Sequence, residues 1–412
     1  MARAAKRRPA TAPPPLEYRM LLTATLCLLA GGAVMVYSSS SARDLLAGHG
    51  DGTGYLERYA AYGAIGLVAM RFLSRRGVEA VRQATPLLLL VSFAGLLAVM
   101  LPGLGVEVNG ARRWLGVGAL QFQPSELMKL SLILYAAQLL SAQPRRVRSL
   151  KGLVNPLLLI VGAACLLVMA EPDLGTALVI AFSLAAVLVA GGVPMRYLGL
   201  VAGFAAFLIV IFALAEPYRR ARLTSFVNPW AHAGGSGFQS VQGQIALGSG
   251  GLFGVGLGQS VQKIFYLPEA HTDFILAVIG EELGVVGISG VLCLYGMVAW
   301  AGLRAAKAAA APYAKLVAAG ITSLILTQAT LNVFAVLGLA PLTGVPLPFI
   351  SYGSSNLVVL LAAMGLLLNV AAGRSHLRVV EGKPNADESR DRRRRDRRAR
   401  GARAGGRRRA AG

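Results

Sequence analysis

Four short stretches of this chain put ionisable side chains in or beside runs that are otherwise apolar, where charge is costly and is kept mainly for function. The first is Gln123-Pro124-Ser125-Glu126-Leu-Met-Lys129. Glu126 and Lys129 are three residues apart, so a helix projects both from one face. There they either neutralise each other in a buried helix or offer a cation and a carboxylate to a polar cavity. The second is Glu171-Pro172-Asp173-Leu-Gly-Thr176. Pro172 breaks a helix and leaves Asp173 placed to cap the next one. Capping does not account for Glu171, which sits at the same depth. The third is Leu267-Pro268-Glu269-Ala270-His271-Thr272-Asp273-Phe274-Ile275, which brings Asp273 to the start of a long apolar run. A carboxylate at a water–lipid boundary can serve as a general base, because partial loss of hydration raises its pKa toward the working range. N-capping by Thr272 or Asp273 is the plainer use, and His271 reads as an orienting or packed group. The fourth runs from Pro341 to Asn356 and holds Gly344, Pro346, Pro348, Ser351, Tyr352 and Gly353. Its prolines and glycines forbid a continuous helix. Non-helical backbone at membrane depth is tolerated only where protein buries it or it lines a cavity, so a re-entrant segment is expected.

The elements that position these groups are membrane helices. The chain has 412 residues, of which 55% are hydrophobic and 15% charged. A soluble chain of this size cannot hide that much apolar surface behind so few charges. Apolar stretches long enough to span hydrocarbon lie near 20–37, 58–73, 84–101, 125–141, 153–170, 174–193, 197–215, 273–302, 314–338 and 350–371. The expectation is an all-α polytopic membrane protein of about ten transmembrane helices. A basic tail (1–19) precedes the membrane domain (20–372), and a disordered Arg-rich tail (373–412) follows it.

Charge sets the orientation. The two tails hold fourteen of the 22 net positive charges. With the N-terminus in the cytoplasm, 32 Lys/Arg fall inside and 8 outside, with Lys129 within a span. Both termini are therefore expected in the cytoplasm. The C-terminal tail reads as a segment held near anionic lipid headgroups, the alternative being RNA, and no nucleic-acid partner is expected. Cys27, Cys165 and Cys293 lie in apolar runs at unrelated spacings and read as core residues. His49, His232 and His376 are too scattered for a zinc site.

Two outer segments are long: 102–124, and 216–272 between the seventh and eighth spans. In the latter, Phe238, Val241 and Ile245 share one helical face, which suits a short helix on the membrane surface. The glycine-rich run 248–258 has no βαβ context, so nucleotide binding is discarded. If Asp273 begins a helix, then Asp273, Ala277, Gly280, Gly284 and Gly287 form one stripe of small residues below the acid. Such a stripe admits a neighbouring helix or leaves a groove. Glu282 points the opposite way, and both it and Glu281 read as partners for other helices.

Together these segments resemble the shape, elongation, division and sporulation family of polytopic glycan polymerases, FtsW and RodA, over about residues 20–372. The resemblance rests on an ordered set: Asn109-Gly-Ala-Arg-Arg-Trp-Leu, the run 123–129, EPDLGT, the glycine-rich approach, YLPEAHTDFILAVIGEELG and PLPFISYG. Ala270 within PEAHTDFI is similar to the division branch, since the elongation branch more often has Arg there. One departure is Ser354-Ser355-Asn356, where the family usually has a second glycine and two serines. The resemblance implies glycosyl transfer from lipid II outside the cytoplasmic membrane. The family's essential aspartate falls on Asp273, with Glu126, Lys129 and Asp173 as supporting cavity residues; Glu171 and His271 join them. The leaving pyrophosphate needs positive charge, and Lys129, Arg112, Arg113, Arg219, Arg220, Arg222 and a divalent cation, Mg²⁺ or Mn²⁺, are candidates. Ser351 and Tyr352 are candidate substrate contacts. The stripe below Asp273 is offered to the polyprenyl tail. The implied partners are a class B penicillin-binding transpeptidase and other division proteins at the division site. A lipid II flippase and a non-catalytic division scaffold are the competing readings.

Overall fold

The computed structural model describes residues 14–46, 51–108, 111–117, 120–144, 149–215, 220, 224–264 and 266–373. The membrane helices are α1 (Leu16–Leu46), α2 (Gly54–Arg76), α3 (Val78–Met100), α4 (Pro124–Ala142), α5 (Leu150–Ala170), α6 (Leu174–Ala190) and α7 (Met195–Ala215). A short helix α8 (Phe238–Gly250) precedes α9 (Ile275–Ala308), α10 (Pro312–Val336) and α11 (Ser354–Ala371). Each of the ten anticipated spans meets one of these membrane helices. Six of them, α1, α3, α5, α9, α10 and α11, are long and apolar enough to cross a membrane by length and composition, and α6 carries a shorter apolar run.

Local sequence explains the boundaries. Pro124 and Pro312 open α4 and α10 at the first turn, where a missing N–H costs nothing. Gly77, at φ +86°, lets α2 turn at once into α3. A proline, Pro156, follows the non-helical Asn155 inside α5.

The core is built around α10 and α11, whose most apolar windows are 72% and 89% buried. Lipid tails are as apolar as leucine, so packing in a bilayer relies on close approach rather than water exclusion. Gly365 of α11 accordingly abuts the backbone of Met70 on α2, and Gly320 of α10 receives Ile133 and Val187. The outer helices leave side chains such as Val68, Leu90, Leu159 and Phe204 exposed, as lipid-facing surface requires.

The long segment before α4 holds a feature that periodicity did not suggest, a three-stranded antiparallel sheet. Strands β1 (Gly105–Val108), β2 (Ala111–Val117) and β3 (Leu120–Phe122) follow in order, with Gly105 opposite Leu115 and Leu115 opposite Phe122. It packs on α3 and α4.

Residues 337–353, between α10 and α11, are non-helical and bury Val345, Leu347, Phe349 and Ile350. Parts of their backbone are held by other segments. The Tyr59 hydroxyl donates to Phe349 O (2.5 Å) and the Tyr295 hydroxyl to Pro348 O (2.6 Å). Leu347 N donates to Ser351 Oγ at 2.8 Å. This is the expected re-entrant segment, tolerated because protein supplies what water would.

Candidate active site

Asp273 is half-buried, whereas Glu126, Glu171, Asp173, Glu281 and Glu282 are all buried. It precedes α9 rather than beginning it: the helix starts at Ile275, with Phe274 at the cap position and no side-chain cap. The N-cap reading of Thr272 and Asp273 therefore falls away. The Thr272 hydroxyl lies 3.2 Å from Asp273 Oδ1 and 3.0 Å from Glu269 O. Glu269, which the motif analysis passed over, is a second partly exposed acid on this loop.

The backbone around Asp273 is tied to the re-entrant segment twice. Asn332 of α10 donates from Nδ2 to Asp273 O (2.7 Å) and to Val345 O (2.8 Å). Tyr352 N donates to His271 O at 2.9 Å. The buried His271 ring packs on Tyr55 (centroids 4.3 Å apart) and lies 5.7 Å from Tyr352.

Glu126 and Lys129 form a buried ion pair at 2.8 Å. The same carboxylate oxygen accepts from Asn356 Nδ2 at 2.8 Å, and Asn356 also donates to Gln328 Oε1 at 3.1 Å. The family departure at 356 thus places an amide on the acid of α4. Asp173 caps α6: it accepts from Thr176 N and from the Thr176 hydroxyl, each at 2.9 Å, and from Gln123 Nε2 at 3.3 Å. Neighbouring Glu171 has both carboxylate oxygens buried and without a hydrogen-bond partner among the described residues. Burial, then the charge of Asp173, push its carboxyl up to about 8, against the opposing effect of Arg113.

Further buried polar atoms without a partner among the described residues are Ser125 Oγ, Gln328 Nε2, Asn332 Oδ1 and Thr343 Oγ1. These residues belong to segments that meet where α4, α6, α10 and α11 approach the re-entrant stretch: Thr343 O presses on Gly175, and Gln328 reaches Glu126 through Asn356. Buried polar groups are almost always satisfied, so the cluster suits a hydroxyl-rich ligand or water.

The arginines divide. Arg113 donates from Nε to Glu171 O (2.9 Å) and from its guanidinium to Pro172 O, which clamps the sheet to the α5–α6 turn. Arg112 pairs with Glu107 at 3.3 Å on the exposed face of the sheet. Arg220 is exposed, and Arg219 and Arg222 lie outside the described residues. Ser351 is buried and spent on Leu347 N.

The stripe below Asp273 is interrupted at one position and closely approached at two. Gly284 is non-helical (φ +65°, ψ −161°), and a Cβ there would lie 2.5 Å from Gly254 N and Leu252 O. Gly250 presses on Gly280 O, and Gly280 faces Leu247. Gly280 and Gly284 are thus approached by α8 and the glycine-rich loop, the close packing that a stripe of small residues admits. Helix α8 buries Val241 and Ala246, while Ile245 stays exposed, so it packs on α9 as well as facing outward. Glu282 is held by Lys263 Nζ (2.7 Å) and the Ser38 hydroxyl (2.7 Å), and Glu281 by the Ser260 hydroxyl and Val261 N. Lys263 and Asn332 were missed. Lone polar residues in apolar context are the signal that could have found Gln328 and Asn332, four apart on one face of α10.

The FtsW, RodA and SpoVE family model, described as "Cell cycle protein", matches residues 18–376. Stage V sporulation protein E of Bacillus subtilis (strain 168) is 42% identical over 357 residues, which are 85% of this chain and 96% of that protein. A probable peptidoglycan glycosyltransferase FtsW of Thioalkalivibrio sulfidiphilus is 42% identical over 371 residues, 88% and 90% of the two chains. A chain in a solved structure, "Structural coordination of polymerization and crosslinking by a peptidoglycan synthase complex", is similar at 30% identity and TM-score 0.71, covering 87% of this chain and 98% of that one.

Proposed function

The chain belongs to the FtsW, RodA and SpoVE family, and on that premise we propose that it polymerises lipid II into glycan strands at the outer face of the cytoplasmic membrane, for septal wall synthesis. It is a multi-pass peptidoglycan glycosyltransferase. The observation that carries the finer reading is burial: Glu126, Glu171, Asp173, Glu281 and Glu282 are buried, while Asp273 is half-buried on a loop anchored by Asn332.

In this reading the Asp273 carboxylate takes the proton of the acceptor sugar hydroxyl. The hydroxyl oxygen bonds to the donor's anomeric carbon as the bond to the pyrophosphate breaks. Asn332 acts on Asp273 through its main chain and so aims the carboxylate. The buried Glu126–Lys129 pair and the unsatisfied polar atoms around it line the region for sugar and phosphate groups. Lys129 is already neutralised by Glu126, so it contributes polarity more than net charge.

Among the described residues no three His, Cys, Asp or Glu side chains come together to hold a metal ion. The residues do not fit a resident, protein-caged cation. Mg²⁺ is often held by substrate phosphates with only one or two carboxylates. Mg²⁺ or Mn²⁺ is accordingly proposed to arrive on the donor's pyrophosphate.

The positive-inside count supports cytoplasmic termini, with Arg71, Arg75 and Arg76 at the inner end of α2. The similar chain from a complex that couples polymerization and crosslinking supports a class B transpeptidase as partner. The decisive experiment incubates purified protein with lipid II in detergent. Long glycan strands support polymerisation; a flippase or scaffold makes no new product, and that outcome overturns the proposal.

A further inference from the structure

Helix α9 is broken at Gly284, and the break is repaired by another part of the chain. In an unbroken helix Val285 N would donate to Glu281 O and Val286 N to Glu282 O. Here Val285 N donates to Gly251 O (3.0 Å) and Val286 N to Leu252 O (3.2 Å). The two vacated carbonyls accept from Val255 N (2.9 Å) and Gly256 N (3.1 Å). Four main-chain hydrogen bonds thus insert residues 251–256 into the break. Glycines at 250, 254 and 284 permit the approach, since a side chain at any of them would collide with opposing backbone.

The depth of this insertion can be read from α1 and α9, which pack against each other. At one end Glu17 pairs with Arg304 at 3.1 Å, and at the other the Ser38 hydroxyl donates to Glu282 at 2.7 Å. The two links are 21 residues apart on α1 and 22 on α9. At 1.5 Å per residue that is about 32 Å, close to the roughly 30 Å hydrocarbon thickness. The Glu282 level therefore lies close to one hydrocarbon thickness from the Glu17–Arg304 pair, near the edge of the bilayer on the Asp273 side, and Gly254 lies against Glu282 O at that level.

At this boundary the loop turns apolar side chains outward. Leu252, Phe253, Val255 and Leu257 are 66%, 80%, 45% and 56% exposed. No charged residue occurs from Phe238 to Gln262. A surface patch for a protein partner carries a polar rim; here the exposed flanking residues Ser249 and Gln259 are uncharged, and the patch continues the apolar band of α9, where Val286 is 57% exposed.

We infer that residues 251–257 are a membrane-contact loop, pinned into the break of α9 and laying Leu252, Phe253, Val255 and Leu257 among phospholipid acyl chains at that boundary. The same stretch of α9 holds Lys263 and Ser260 through Glu282 and Glu281, so lipid contact and the Asp273 loop share one mount.

The test uses full-length protein in phospholipid vesicles, with Cys27, Cys165 and Cys293 replaced by Ala. Phe253→Cys and Leu257→Cys carry an environment-sensitive fluorophore, and Gly234→Cys, on exposed backbone with open space around it, is the aqueous reference. Expected are blue-shifted emission at 253 and 257 and its loss to lipids spin-labelled on the acyl chain, with neither effect at 234. Emission at 253 and 257 that matches 234, and that a water-soluble quencher removes equally, overturns the inference. Both positions are largely exposed, so their replacement leaves the fold in place.

Discussion

Asn332 and Asp273 are joined side chain to main chain: the Asn332 amide donates 2.7 Å to the carbonyl of Asp273 and 2.8 Å to that of Val345. One buried side chain on α10 therefore sets the distance between the loop bearing the acid and the re-entrant segment. Leucine is close in volume and lacks both donors. Asn332→Leu leaves two carbonyls unpaired, at about 1–3 kcal/mol each. The expected outcome is a fall in kcat of roughly 100-fold, the scale of a small misplacement in an active site, with KM for lipid II changed far less. A parallel rise in KM, or unchanged kcat, would show that Asn332 only packs.

Asp273→Asn keeps the size of the side chain and removes its capacity to take a proton. Because Asn332 reaches the main chain, the loop stays in place. The variant should insert and melt like the parent and make no glycan strands from lipid II. Normal strand synthesis by the purified variant would remove Asp273 from the reaction, and Glu269→Gln would then be the next variant to assay.

Lys263 and Glu282 form a buried pair, 3% and 0% exposed. Breaking one side strands a buried charge, at about 3–5 kcal/mol, whereas replacing both by apolar groups of similar volume is often neutral. Lys263→Met and Glu282→Leu should each lower the melting temperature, and the double variant should recover most of the loss. Simple addition of the two losses would mean that the pair does not act as a unit.

Glu171 predicts a pH dependence of stability. Its carboxyl is raised from 4.5 to about 8 by burial first and by Asp173 second. Between those values the unfolded chain releases the proton that the folded chain keeps, so stability is full below pH 4.5 and declines as pH rises toward 8. The effect is on the order of a few kcal/mol. Melting curves in detergent across this range should show the decline, and Glu171→Gln should flatten it. An identical slope in the variant would place the dependence elsewhere.

The sequence by itself determined where the ten long helices of the membrane domain lie, because apolar length is a local property that neighbours do not alter. It also determined the break before α11, since Pro341, Pro346 and Pro348 forbid a helix in any surroundings, and the Glu126–Lys129 pair, since three residues on one helix have a known separation. What only the tertiary structure decided were the relations between distant segments. Helical spacing extended through Asp273 predicted one unbroken stripe, whereas the chain begins its helix two residues later and breaks it at Gly284. Periodicity assumes that a helix bonds to itself; here residues 251–256 supply the bonds instead. Which acid stays half-buried, which lysine reaches Glu282 and which amide holds the backbone of Asp273 depend on neighbours up to 244 residues away, a distance over which no local pattern carries information.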